Sequence, residues 1–293
     1  MKIDIEKIKQ EKSIKELLEF GILNIDKPSG PTSFSVSDFV REKLKGAGVR
    51  KTSHFGTLDP KVTGVLPIAL NRACKLTGYF MKKNKAYVGV MRLHEDINDE
   101  RLNDEIKNFI GKIKQLPPVK SRVKREERER EVYSLEIIER DEKDRKNVLF
   151  ETEVEAGTYI RKLIHDLGKK IGGAHMLELR RTKAGIFSEQ DSEFVNLYDF
   201  VKAVDEYKNG NESLLREILI PAEIISEILP VMKVRKESVK SLLVGKPIFK
   251  EDLTEELKVK EGNIAVFCED RLIEVARIIN EKGIVAKPEF VLN

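Results

Sequence analysis

The run His54-Phe55-Gly56-Thr57-Leu58-Asp59-Pro60, followed by Gly64-Val65-Leu66-Pro67, sets one carboxylate in an otherwise uncharged, tightly turned stretch. A carboxylate presented this way can serve as a nucleophile or stabilise charge at a reacting carbon. Gly56 reaches backbone angles closed to other residues, and Pro60 keeps Asp59 extended or in a turn, so the direction of the acid is fixed. Asp before Pro is also a common turn opener, and the spacing alone leaves a purely structural turn open.

The elements that must carry this turn alternate irregularly. Residues 21–25 read as a strand, Thr32 or Ser33 as the cap of a helix, 64–70 as a second strand, and a helix starts at Arg72. Further strands are expected at 87–93, 132–138, 148–154 and 176–181, with helices near 99–112, 158–170 and 196–207. Such an order predicts an α+β domain on a mixed, mostly antiparallel sheet, not a doubly wound fold. Ile5, Ile8, Ile14, Leu17 and Leu18 form a helical stripe able to pack on another domain. Short helices over 196–229 give way at Pro230 to strands at 231–234 and 264–267 with a helix at 237–244 between them. With 293 residues, more than one domain is expected: an extension over 1–20, a main domain over 21–228 and a small one over 229–293.

Several blocks together resemble the TruB and dyskerin family of pseudouridine synthases. They are Gly21-Ile22-Leu23-Asn24-Ile25-Asp26-Lys27-Pro28 with Thr32-Ser33, the Asp59 run, Lys85-Ala86-Tyr87, Gly157-Thr158-Tyr159-Ile160-Arg161 with His165-Asp166-Leu167-Gly168, and Leu179-Arg180-Arg181-Thr182. Each is weak alone, but their common order across roughly 160 residues makes chance similarity a poor account. Val90-Met91-Arg92-Leu93-His94, the stretch from Pro117 to Arg125, and Gly173-Ala174-His175-Met176 resemble the archaeal, guide-RNA-dependent branch. The resemblance implies the pseudouridine synthase fold followed by a small PUA-like β-barrel that binds RNA. Ile273-Glu274-Val275-Ala276 lacks the glycine usual before that alanine, a departure that bears on 3′-ACA recognition.

The resemblance also implies roles. Asp59 acts near the ribose and base, Arg161 pairs with it in two-point geometry, and Tyr87 stacks on an extruded uridine, with its phenol near C5. Each has a plainer account, as a helix-face arginine or a core tyrosine. His54, Thr57, Leu58, Tyr159, Ile160 and Leu179 are expected to contact substrate; His54 either stacks or stabilises the loop, and Ile160 and Leu179 supply apolar walls. Lys27 supports either the loop or a phosphate. Pro117 to Arg130 resembles a substrate-clamping loop, with Lys120, Arg122, Lys124 and Arg125 as RNA contacts together with Arg180 and Arg181, although Glu126, Glu127, Glu129 and Glu131 dilute its charge.

The formal net charge is only +4, from 54 basic and 50 acidic residues, so a global positive field is no argument for nucleic acid; local basic clusters are. Cys74 and Cys268 have no metal-site spacing, no apolar run is long enough to span a bilayer, and the amino terminus lacks a signal core, which predicts a cytoplasmic protein without membrane partner. Base isomerisation requires no cofactor. The expected partners are tRNA or rRNA substrate, an H/ACA guide RNA and small accessory ribonucleoprotein subunits. Stand-alone action on uridine 55 of tRNA and a non-catalytic RNA-binding scaffold are the alternatives.

Overall fold

A computed structural model describes residues 3–117, 124–257, 259–281 and 283–292. The chain opens with two short helices, α1 (Ile5–Glu11) and α2 (Ile14–Glu19), separated because Ser13 caps α2 in a reciprocal box with Glu16. Then come β1 (Gly21–Lys27), α3 (Ser33–Leu44), β2 (Thr52–His54), β3 (Thr63–Leu70), α4 (Thr77–Met81) and β4 (Lys85–Leu93). The middle holds α5 (Asp99–Lys107), β5 (Gly111–Gln115), β6 (Arg128–Arg140), β7 (Asn147–Val154), α6 (Ile160–Gly168) and β8 (Ala174–Ala184). It continues with β9 (Phe187–Ser188), β10 (Phe194–Asn196), α7 (Leu197–Lys208), α8 (Ser213–Ile218) and β11 (Leu219–Pro221). The last part is β12 (Val231–Lys233), α9 (Val239–Leu242), β13 (Ile248–Phe249), β14 (Gly262–Cys268), β15 (Arg271–Glu281) and β16 (Ile284–Val291).

The first sheet runs β10-β1-β3-β8-β4-β7-β6-β5, with β11, β2 and β9 added beside β1, β3 and β8. It is mixed: β1 with β10 and β3 with β8 are parallel, and the remaining pairs are antiparallel. On one half, α3 and α7 bury Val36, Val40, Phe200 and Val204 against Leu23, Ile25, Leu66 and Ile68. On the other, α5 and α6 bury Leu102, Ile106, Leu163 and Leu167 against Met91, Leu135 and Phe150.

The second sheet, β12-β14-β15-β16-β13, curls around Met232, Val234, Ile248, Ile264, Val266 and Ala276. The two sheets do not merely share a tether. Ile3 and Ile8 of the amino-terminal segment, Ile220 and Ala222 beside the first sheet, and Ala265, Phe267, Leu272 and Val275 of the second form one buried cluster. Among the described residues no helix is long and apolar enough to cross a membrane.

Three expected helices are shorter than their periodicity suggests. The one read over 99–112 stops at Lys107, because Gly111 takes a left-handed φ of +92° and opens β5. The segment from Arg72 winds first as a 3₁₀ turn over Asn71–Leu76 before α4, and the helix read over 237–244 is one α-turn after a 3₁₀ turn.

Candidate active site

The turn carrying Asp59 is fixed from below by side chains that bond its backbone. Lys27, at the end of β1 and fully buried, donates from Nζ to the carbonyls of Pro28 at 2.8 Å, Pro60 at 2.9 Å and Val62 at 2.8 Å. Ser33, the first residue of α3, accepts from the Leu58 amide at 2.7 Å and donates to the Leu58 carbonyl at 3.0 Å. Arg181 on β8 donates from Nη2 to the Gly56 carbonyl at 3.1 Å and from Nε to the Val65 carbonyl at 2.8 Å. Each bond satisfies a buried acceptor or donor that the irregular backbone cannot pair itself. Gly64 is obligatory for the approach: its φ is +98°, and a Cβ there would lie 2.2 Å from the Arg181 carbonyl.

Above this support the Asp59 carboxylate points away from the core. Arg161 Nη2 lies 2.6 Å from its Oδ2, with 58% of the arginine side chain and 48% of the aspartate exposed. The two residues meet at one guanidinium nitrogen, not in the two-point geometry expected of them, and water as well as the guanidinium solvates the acid. An exposed pair of this kind contributes at most about 1 kcal/mol to stability, so its consequence is orientation. The position of Arg161 follows from α6, where Ile160, Leu163, Ile164 and Leu167 make the buried stripe and leave Arg161 on the open side. Tyr159, just before α6, is held by buried Gln115, whose Oε1 accepts from the Tyr159 amide at 3.0 Å and whose Nε2 donates to its carbonyl at 3.3 Å.

Leu58, Tyr87, Ile160 and Leu179, named from four separate sequence blocks, meet in one buried apolar cluster. Tyr87 is brought there by β4, which buries every second residue, Lys85, Tyr87, Gly89, Met91 and Leu93. It stands opposite Arg181 in the β4–β8 register, with its phenol near enough to favour the charge of that guanidinium. Lys85, two residues earlier on the same face, donates to the Met81 carbonyl at 3.2 Å, and burial, with the Arg181 charge behind it, drops its amine to about 7. Burial likewise lowers Lys27, opposed by the attraction of Asp59. His54 reaches Thr57 Oγ1 from Nε2 at 3.1 Å, bracing the turn, and its imidazole is held below the ordinary histidine range by burial first and the Arg181 charge second.

The expected RNA contacts fare differently. Lys120 and Arg122 lie outside the described residues. Lys124 and Arg125 are exposed, although Lys124 pairs with Glu126, while Lys112 at 2.9 Å and Lys114 at 3.9 Å engage Glu129 and Glu127 across β5 and β6. Arg181 is not on the surface: it is 1% exposed, with Nε and Nη2 turned to the Val65 and Gly56 carbonyls, which corrects its expected phosphate role. Arg180 is half-buried and doubly neutralised, by both carboxylate oxygens of Asp26 at 3.0 and 3.2 Å and by Glu189 at 2.7 Å.

Ser33 and Gln115 were not legible as site residues. Ser33 stood in a recognised block but reads as a helix cap, and Gln115 carries no local signal, because its partner is 44 residues away.

Residues 43–160 match the family described as TruB family pseudouridylate synthase (N terminal domain), and residues 161–226 the one described as tRNA pseudouridylate synthase B C-terminal domain. The chain is 43% identical over 237 residues to the probable tRNA pseudouridine synthase B of Methanothermobacter thermautotrophicus, covering 80% of this chain and 71% of that one. Its counterpart of the same name in Methanopyrus kandleri is 44% identical over 238 residues, with 80% and 68% covered. Among solved structures, a chain of a Cbf5-Nop10-Gar1 complex superposes with a TM-score of 0.87 at 36% identity, over 97% of this chain and 88% of that one. A chain of an H/ACA RNP bound to a substrate RNA containing 2′-deoxyuridine gives 0.85 at 33% identity, over 97% and 89%.

Proposed function

Because the chain belongs to the TruB family of pseudouridine synthases, we propose that it isomerises uridine in RNA at Asp59, in the cytoplasm, as the catalytic subunit of a guide-RNA ribonucleoprotein. The observation carrying the assignment of the site is the contact of Asp59 with Arg161, two residues 102 positions apart that meet at 2.6 Å over a turn held by Lys27, Ser33 and Arg181.

The isomerisation breaks the bond from ribose C1′ to N1, turns the base, and joins C1′ to C5. Asp59 supplies a carboxylate to the carbon or base that becomes electron-poor, while Arg161 aims it. RNA docking removes water from this half-open pair and strengthens both interactions, because the local dielectric falls. The extruded base then lies against Tyr87, Ile160, Leu179 and Leu58, which replace the stacking lost from the RNA helix. At the end a proton leaves C5 and one joins N1, so the reaction is neutral and redox-free; Tyr87, the polar group on that apolar wall, receives the C5 proton.

The guided role is supported by the superposition over 97% of this chain on chains solved within H/ACA assemblies, and it implies docking of guide RNA and small protein subunits such as those named in the Cbf5-Nop10-Gar1 complex. Stand-alone modification of tRNA is the second reading, favoured by the names of the curated relatives. Pseudouridine formation in an unmodified tRNA transcript, then in a guided rRNA fragment with partner proteins added, separates the two, with Asp59→Ala as the control. Turnover by the chain alone supports the tRNA role, turnover only in the assembly supports the guided role, and turnover in neither leaves an RNA-binding scaffold.

A further inference from the structure

Arg181 is a fully buried cation that no carboxylate neutralises among the described residues. Burying a charge without a counter-charge costs several kcal/mol, and an apolar side chain of similar volume would fill the same space more favourably. Stability therefore does not account for an arginine here. Its contacts do. One guanidinium reaches the Gly56 carbonyl at 3.1 Å, three residues before Asp59, and its residue pairs across the sheet with Tyr87, whose phenol favours its charge. Nε is anchored to the Val65 carbonyl at 2.8 Å, and the residue sits at the centre of a three-strand register, Gly64 on β3 to one side and Tyr87 on β4 to the other. Gly56 takes a φ of +105°, which L side chains rarely adopt, and Nη1 stands 3.5 Å from where its Cβ would be, an ordinary contact distance, so the guanidinium packs directly under the turn.

We propose that Arg181 is a positioning residue for the final chemical step, fixing the Tyr87 oxygen relative to the Asp59 turn and stabilising the negative charge that develops on that oxygen as its own proton leaves, before the C5 proton arrives. This rests on the reading of Tyr87 as the group that receives that proton. In the step, the C5–H bond breaks and its electron pair forms the C5=C6 double bond, while the C6=N1 pair takes up a proton from water at N1. The C5 proton passes to the Tyr87 oxygen once the phenol's own proton has left to water, so charge and atoms balance. Arg181 supplies no proton; its fixed charge and fork geometry hold the oxygen where the transfer occurs. Lys85, on the same face, is a weaker candidate, because its amine is turned to the Met81 and Lys83 carbonyls.

The test is single-turnover kinetics of wild type and Arg181→Lys, in whichever assembly the wild type turns over, on RNA carrying uridine, C5-deuterated uridine or 5-fluorouridine at the target. Fluorinated uridine has no C5 proton and reports only on the steps before its removal. Arg181→Lys, which also gives up part of the support of the Asp59 turn, is expected to slow formation of the fluorinated rearranged nucleoside by less than about 10-fold while losing about 10²-fold in pseudouridine formation, with a larger deuterium effect than wild type. An equal slowing of both substrates, or an unchanged isotope effect, overturns the proposal and makes Arg181 a structural residue. If the buried lysine does not fold, Arg181→Gln carries the test, the same signature supporting the proposal and an equal slowing of both substrates overturning it, while full turnover by Tyr87→Phe removes the reading of Tyr87 on which it rests. Absence of turnover by the wild type would instead remove the function on which the proposal rests.

Discussion

Glu274, on the middle strand of the second sheet, lies opposite Val266 on β14 and Val291 on β16, and its side chain is completely buried. Neither carboxyl oxygen has a hydrogen-bond partner among the described residues, and burial raises the acid from 4.5 to about 8. The native chain thus keeps a proton at neutral pH that the unfolded chain has released. Stability falls as pH rises through that window, by about 1.4 kcal/mol per pH unit, is full below the unfolded value, and levels off above the folded one. Across the whole window the loss approaches about 5 kcal/mol, and relaxation or water entry brings the expected figure to about 3 kcal/mol. Glu274→Gln keeps the shape and cannot ionise. Hydrogen exchange of the β14–β16 amides between about pH 5 and about pH 8, corrected for intrinsic rates, isolates this sheet from the first. The wild type should lose protection across the range while the variant stays level, the two agreeing near the acid end. Parallel pH slopes would refute the reasoning and mean that the carboxyl is solvated or paired in solution.

Lys27→Met should leave the carbonyls of Pro28, Pro60 and Val62 without a donor and destabilise the fold by about 3 kcal/mol, read by urea unfolding, with turnover falling as well. Ser33→Ala should leave the buried Leu58 amide unpaired, lowering stability by about 1–3 kcal/mol in the same assay and loosening the turn before Asp59. Arg161→Ala should separate the two readouts: unfolding shifts by less than about 1 kcal/mol because the pair is exposed, whereas pseudouridine formation drops by about 10²-fold or more because the carboxylate is no longer aimed.

What the sequence made legible was whatever local rules govern. Thr32 before Ser33 caps α3 through a 3.0 Å bond to the Ser35 amide, the strand-favouring run 87–93 gives most of β4, and the Gly56-to-Pro60 run gives the turn. What it concealed depends on partners distant in the chain. Arg180 and Arg181 are adjacent and chemically alike, and a basic dipeptide reads as a phosphate contact. Successive residues of β8 point to opposite faces, so Arg180 meets Asp26 and Glu189 at the edge while Arg181 enters the core beneath Asp59. Nothing in the two letters distinguishes them. The small strands β2, β9, β10, β11 and β13, of two or three residues each, are similarly invisible, because tertiary pairing and not propensity forms them.

The three side chains that hold the Asp59 turn from below bond its backbone, and none of these bonds goes to the carboxylate. Lys27, Ser33 and Arg181 hold residues 56, 58, 60 and 62 from within the sheet and from α3, whereas the partner of the carboxylate, Arg161, belongs to α6 and stands in water. Turn position and acid orientation are therefore separate mechanical problems with separate solutions. A carboxylate that meets a ribose or a base must turn about its own side-chain torsions and exchange part of its contact with arginine for contact with substrate. If the same bonds held both acid and backbone, that exchange would loosen the turn at the moment of reaction. Here it does not, because the groups beneath the loop are indifferent to where the carboxylate points. Loss of Lys27 or Ser33 should accordingly affect every step that needs the turn, whereas loss of Arg161 should be felt only where the acid must be aimed.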